Sequence, residues 1–324
     1  MSDPRTITDW VAGFDPALRW QIMRDVIGAP ETEWAPIRAM VETEGIGARL
    51  LALQDADGQW SGGAFFPPGF TGTQFQEQGQ PWTTTTWVLT QLRELGLDPN
   101  SAPAKATVRL VGENARWDHA GEPYWTGEVE ECINGRTVAD GAYFGVDVAP
   151  IVARLLGESL PDGGWNCERC NGSSRSSFAT TINVLEGLLE FERATGGTPE
   201  SRRARHQGEE YLLARRLFRR ASTGEPADEQ FLALTYPTRW RYDVLRALDY
   251  FRAASRLDNT APDARLAEAI ELVRSKQDDS GRWRLDWVPK GATLIDLDDG
   301  PGQPSPWVTL RALRVLHWWD EQKA

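Results

Sequence analysis

Apolar residues recur three and four positions apart along most of this chain. Leu185, Leu188 and Leu189 do so, as do Leu245, Leu248 and Phe251, and Leu310, Leu313 and Leu316, which is the period of an α-helix with one buried face. The pattern predicts helices over 35–53, 82–95, 138–158, 178–195, 263–276 and 307–319, within a total of about ten to twelve, and no convincing strand. Ser305-Pro306 and Thr198-Pro199-Glu200 read as helix starts, a hydroxyl cap followed by Pro in the first turn. Gly96 and Gly196-Gly197 read as stops. The connections over 57–80, 118–136 and 284–304 are too long for a simple bundle.

Three of the predicted helices end in related loops. Gln54-Asp55-Ala56-Asp57-Gly58-Gln59-Trp60 and Gln277-Asp278-Asp279-Ser280-Gly281-Arg282-Trp283 share Gln-Asp-x-x-Gly-x-Trp, and Leu160-Pro161-Asp162-Gly163-Gly164-Trp165 is a shorter variant. In such a loop Gln can bond the backbone groups freed at the helix end. Asp and Gly make the turn, and Trp packs back over the helix. Helix pairs repeated at loose spacing imply a solenoid or a ring of hairpins.

Composition narrows the classes. The 324 residues hold 47 acidic against 35 basic groups, a net charge of −12, which argues against nucleic acid and anionic lipid as partners. The first residues lack the apolar core of a signal peptide, and no window reaches the roughly 18 apolar residues of a membrane span. Three cysteines are too few for a disulfide framework. These features lead us to expect a cytoplasmic protein. Fifteen Trp residues are the compositional outlier. Trp60, Trp165 and Trp283 read as loop clamps, leaving Trp82, Trp87, Trp240 and Trp307 as candidates to face a ligand.

The repeated loops resemble the QW repeats of squalene and hopene cyclases. Helix pairs joined this way resemble the α/α toroid that those cyclases share with the β subunits of protein prenyltransferases. The resemblance covers roughly residues 35–320 and is strongest to short bacterial squalene-cyclase-like proteins with prenyltransferase/squalene-oxidase repeats. It implies an all-α fold, a single α/α-toroid domain over 35–324, with 1–34 as an N-terminal extension packing on the ring. It also implies that a central cavity takes an apolar or isoprenoid-like small molecule.

Asp296-Leu297-Asp298-Asp299 matches the Asp-x-Asp-Asp pattern of class II terpene cyclases, whose middle Asp protonates an alkene. By that resemblance Asp298 is the acid, tuned by Asp296 and Asp299. An acidic loop before a helix start is the plainer reading of the same four residues. Cys167-x-x-Cys170 has zinc-ligand spacing, and Cys132 could complete a site, which makes zinc the one cofactor to test for. Reduced thiols in an ordinary loop are the alternative.

Trp82, Tyr143, Phe178, Tyr236, Trp240, Tyr242 and Trp307 start or line the helices expected to form the inner ring. Asn134 and Arg136 are expected at the cavity mouth, in a polar stretch taken to precede a helix. The Arg-rich segment 202–220 reads as a solvated helix face. Two rival functions stay open: a glycan-active α/α barrel, and a non-catalytic binding or interaction protein on the same fold.

Overall fold

The computed structural model describes residues 4–321. Fourteen α-helices are named here in chain order: α1 (Pro4–Ala12), α2 (Pro16–Ile22), α3 (Glu31–Ala39), α4 (Gly45–Ala52), α5 (Gly72–Gln78), α6 (Thr85–Leu95), α7 (Ala102–Asn114), α8 (Glu131–Tyr143), α9 (Ala149–Gly157), α10 (Phe178–Thr195), α11 (Pro199–Leu213), α12 (Val244–Asp258), α13 (Ala267–Ser275) and α14 (Pro306–Glu321). The only β pairing among the described residues is in isolated bridges, so the fold is all-α. No described helix is long and apolar enough to cross a membrane.

The chain divides into two compact units. One is built from residues up to Ile46, Leu212–Val288 and Asp296 onward, the other from Gly47–Tyr211 and Pro289–Ile295. In the first, α2 packs on α3, α12 on α14, and α14 on α1 and α2. In the second, α8 is central, between α6 and α10. Two glycines allow α8 and α10 to touch backbone to backbone. A Cβ at Gly135 would fall 2.5 Å from the Asn183 carbonyl oxygen, and one at Gly187 would fall 2.3 Å from that of Gly135.

The three Trp loops are nearly superposable in their bonding. The indole N–H of Trp60, Trp165 and Trp283 donates to the carbonyl ten residues earlier, of Leu50 (2.8 Å), Leu155 (2.7 Å) and Val273 (2.7 Å) respectively. Each Trp backbone N–H donates to a threonine hydroxyl in the first turn of the next long helix, Thr85, Thr181 or Thr309. Gln54 and Gln277 each donate to the carbonyl of the loop glycine, at 2.9 and 3.0 Å. Each tryptophan therefore ties the end of one helix to the start of the next. All three are fully buried.

Several expected boundaries move, for local reasons. The stretch 35–53 breaks at Gly45, whose φ of +69° is left-handed. The Asp15 carboxylate caps α2 through Ala17 N and takes the Ile46 N–H at 2.8 Å, so one side chain organises both helix starts. The stretch 138–158 is two helices. Tyr143 ends α8, and Gly145 (φ +78°) turns the chain toward α9. Trp82 precedes α6 and lies extended beside Thr293. Asn134 and Arg136 are buried inside α8, not in a loop ahead of it. The Arg-rich segment leaves helix after Leu213, and Arg205 within it is buried between Glu192 and Glu209.

Candidate functional site

In the first unit, the long connection ahead of α14 is clipped into a defined shape. Ser305 N donates to Trp283 O at 2.9 Å, Leu285 N to Gln303 O at 2.9 Å and Gly302 N to Leu285 O at 2.7 Å. Ser305 caps α14 by accepting from Val308 N at 3.0 Å, and its hydroxyl donates to Asp298 Oδ2 at 2.9 Å. The other carboxyl oxygen, Asp298 Oδ1, is buried and has no hydrogen-bond partner. Burial pushes this carboxyl up to about 7. The Ser305 bond opposes the shift and the neighbouring Asp299 charge adds to it. Asp296 and Asp299 are themselves exposed. The acid is thus set by its burial and by Ser305 more than by the two flanking aspartates.

Aromatic residues of the same unit pair off. Tyr236 and Trp307 stack with centroids 4.9 Å apart, and the Arg311 guanidinium lies over Tyr236. The Tyr242 ring meets Phe231 edge-on, while its hydroxyl donates to Leu217 O at 2.6 Å. Trp240 packs against Arg241. Of the residues expected at a ligand, Tyr236 and Trp307 come together. Tyr242 is tied to the backbone and has a structural role.

In the second unit, Trp82, Trp87 and Phe65 form one aromatic group, with Trp87 within 5 Å of both partners. Arg136 lies over the Trp87 ring at 5.4 Å and donates to Asn183 Oδ1 at 2.8 Å. Asn134 binds both the N–H and the C=O of Glu128, which shapes the entry to α8. The Tyr143 hydroxyl donates to Leu97 O, and Phe178 meets Tyr211. Asn134, Tyr143 and Phe178 are therefore engaged with the protein itself.

The thiols lie in this unit too. Glu130 Oε, Cys132 Sγ and Cys167 Sγ are all within 4.8 Å of one another. Glu130 is the N-cap of α8, Cys132 sits in its first turn, and Cys167 opens a short 3₁₀ turn. Cys132 N donates to Cys167 Sγ at 3.3 Å, and Thr180 Oγ1 does so at 3.4 Å. Cys170 is the departure from expectation. It is exposed, and its Sγ turns to the Cys167 carbonyl at 3.6 Å. Glu130, not Cys170, completes the trio. The Cys167 neighbour and burial push the Cys132 thiol well up. Burial raises the Glu130 carboxyl as well. Two thiols and a carboxylate are a donor set that suits Zn²⁺, with a fourth position open. The two hydrogen bonds onto Cys167 Sγ are what a ligating thiolate needs from its surroundings.

No family model matches the sequence, and no curated protein matches it. Seven solved chains match. Among them is the crystal structure of a protein from Actinoplanes, 17% identical, covering 97% of this chain and 89% of that one with a TM-score of 0.46.

Proposed function

We propose that this chain is a terpenoid-cyclase- or prenyltransferase-like protein that binds an apolar, isoprenoid-like small molecule, with Asp298 as the proton donor in its isomerisation or cyclisation. The observation that supports this reading is the Asp298 carboxyl, half-buried, held by Ser305 on one oxygen and unpartnered on the other. A carboxyl titrating at about 7 is still protonated in about half of the molecules at neutral pH, where an ordinary aspartate has lost its proton. The proton belongs on Oδ1, because Oδ2 accepts from Ser305. Once it leaves, that same hydroxyl stabilises the carboxylate. The same unit carries the stacked Tyr236 and Trp307 rings, groups of the kind that shield a carbocation by cation–π attraction.

Farnesol and geranylgeraniol, incubated in D₂O with product analysis by mass spectrometry, test it. The wild type should place deuterium on carbon, with a rate that falls as pH rises through about 7. Asp298→Asn should lower that rate by about 10²-fold or more. Undiminished turnover in Asp298→Asn would end the proposal.

A second reading is favoured by the Glu130–Cys132–Cys167 trio, namely a zinc-dependent transferase. Glu130, Cys132 and Cys167 would hold the ion, which when bound supplies Lewis acidity and an activated thiolate or water. Co²⁺ added to the reduced protein should give a thiolate charge-transfer band that Cys132→Ser and Cys167→Ser abolish and Cys170→Ser leaves intact. A band that depends on Cys170 instead would refute this ligand set.

A further inference from the structure

Loop 236–243 of the first unit is held in an unusual shape. Arg239 sits at a φ of +55°, a left-handed conformation disfavoured for a residue with a side chain. The buried Arg246 guanidinium of α12 holds the loop from below, donating to the carbonyls of Arg239 and Arg241. Asp243, also buried, caps α12 through Arg246 N at 2.7 Å and takes the Thr235 N–H. The loop is pinned at both ends while its crest presents Trp240 and Arg241.

The Arg241 guanidinium lies 4.6 Å from the Trp240 ring centroid and 5.0 Å from that of Trp287. All three residues are half-buried. Two donors in this group, Arg241 Nε and Trp287 Nε1, are buried and have no hydrogen-bond partner. Half-buried Arg219, by contrast, is ion-paired with Glu268, while half-buried Arg282 resembles Arg241 in lying over one indole, that of Trp10, with a buried Nε that has no partner. Arg241 forms no such pair among the described residues, and only the more distant Asp228 charge acts on it. Burial therefore lowers its affinity for its proton.

We propose that Arg241 and Trp287, with Trp240 as the stacking partner, form a binding site for an oxyanion, the phosphate or carboxylate group of a small-molecule ligand. The chemistry follows from the donors that each group leaves unpaired. The indoles occupy guanidinium faces, where contact is cation–π and carries no hydrogen bond. The N–H groups lie in the guanidinium plane, the geometry that fits two oxygens of a carboxylate or phosphate. Trp287 Nε1–H adds a donor beside them. An oxyanion there satisfies both orphaned donors and neutralises a desolvated cation at once. The site goes beyond the proton chemistry of Asp298 and stands whether or not that chemistry does.

Calorimetric titration of the full chain at constant ionic strength, with inorganic pyrophosphate, inorganic phosphate and acetate in separate arms, tests it. Saturable binding is expected in at least one arm, and which arm responds separates a phosphate from a carboxylate ligand. Arg241→Met should weaken it by about tenfold or more, since it removes the charge and the fork together. Trp287→Phe should weaken it a few-fold, because it keeps the ring face and removes the N–H. Thermal melts check that each variant folds, and Trp287→Phe carries the test if Arg241→Met does not. No saturable binding in any arm, or wild-type binding by a folded Arg241→Met, would overturn the proposal.

Discussion

Asp298→Asn should make the protein more stable than the wild type at pH 8, by about 2–4 kcal/mol, and change it little near pH 4. The folded carboxyl titrates at about 7 against an ordinary value of 3.8. Between those values the native state holds a proton that the unfolded chain has released. Native protein then binds more protons than unfolded protein, so wild-type stability falls as pH rises from about 4 to about 7 and is level beyond. A tenfold difference in proton affinity between the two states corresponds to about 1.4 kcal/mol, and the partial exposure of the group reduces the full difference to the range given. Asn accepts the Ser305 hydroxyl as the acid does and carries no charge to desolvate, so the pH dependence disappears with the substitution. Urea denaturation of both proteins at pH 4, 6 and 8 measures the gap. A gap that stays constant across that range would show that the carboxyl is solvated.

The loss of activity proposed for the same variant runs opposite to its gain in stability. That combination separates a residue kept for chemistry from one kept for packing, because a structural aspartate would lose both together.

Sequence reading succeeded where the physics is local. The Gln-Asp-x-x-Gly-x-Trp loops, the Ser305 cap and the Gly96 and Gly196 stops depend on residues within a few positions of each other, and all appear in the structure. It missed Gly45, because what breaks that helix is the Asp15 carboxylate arriving from a different part of the chain. The grouping of the thiols is non-local for a related reason. Cys167-x-x-Cys170 suggested a pair, but the 3₁₀ turn aims Cys170 away, and the third donor is Glu130 from the start of α8. Trp240 is legible in the sequence as a candidate ligand-facing aromatic, whereas the Arg241 guanidinium stacks on it and on a second indole, Trp287, from another loop that no local pattern ties to it. The Asp298 motif was legible as four letters. Its burial and its bond to Ser305, which set its acidity, depend on the clipped loop.

Asp249→Asn should destabilise the protein by about 3–5 kcal/mol at pH 7, the cost of leaving buried cations without their counterion. Asp249 lies on α12, where it meets Arg252 at 2.9 Å and receives Arg311 and Arg314 from α14. Arg314 also donates to Gln21 on α2 at 2.9 Å and approaches Asp25 at 3.6 Å. These three guanidiniums are nearly buried, so water screens them little. Burial alone would raise the Asp249 carboxyl, but Arg314, Arg252 and Arg311 outweigh it and hold the group far below the usual aspartate range. The sign is therefore opposite to that of Asp298. The unfolded chain takes up a proton near the ordinary value of 3.8 while the native carboxylate refuses it, so this part of the stability is present above pH 4 and is lost as pH falls below it. Asn keeps the shape and removes the charge, which isolates the electrostatic contribution from any cavity. Urea denaturation at pH 7 should show the midpoint falling with little change in slope. The acid-unfolding limb of the wild type should also be shallower in the variant. A loss below about 1 kcal/mol would mean that α2, α12 and α14 are held by their apolar faces alone, with the arginines solvated.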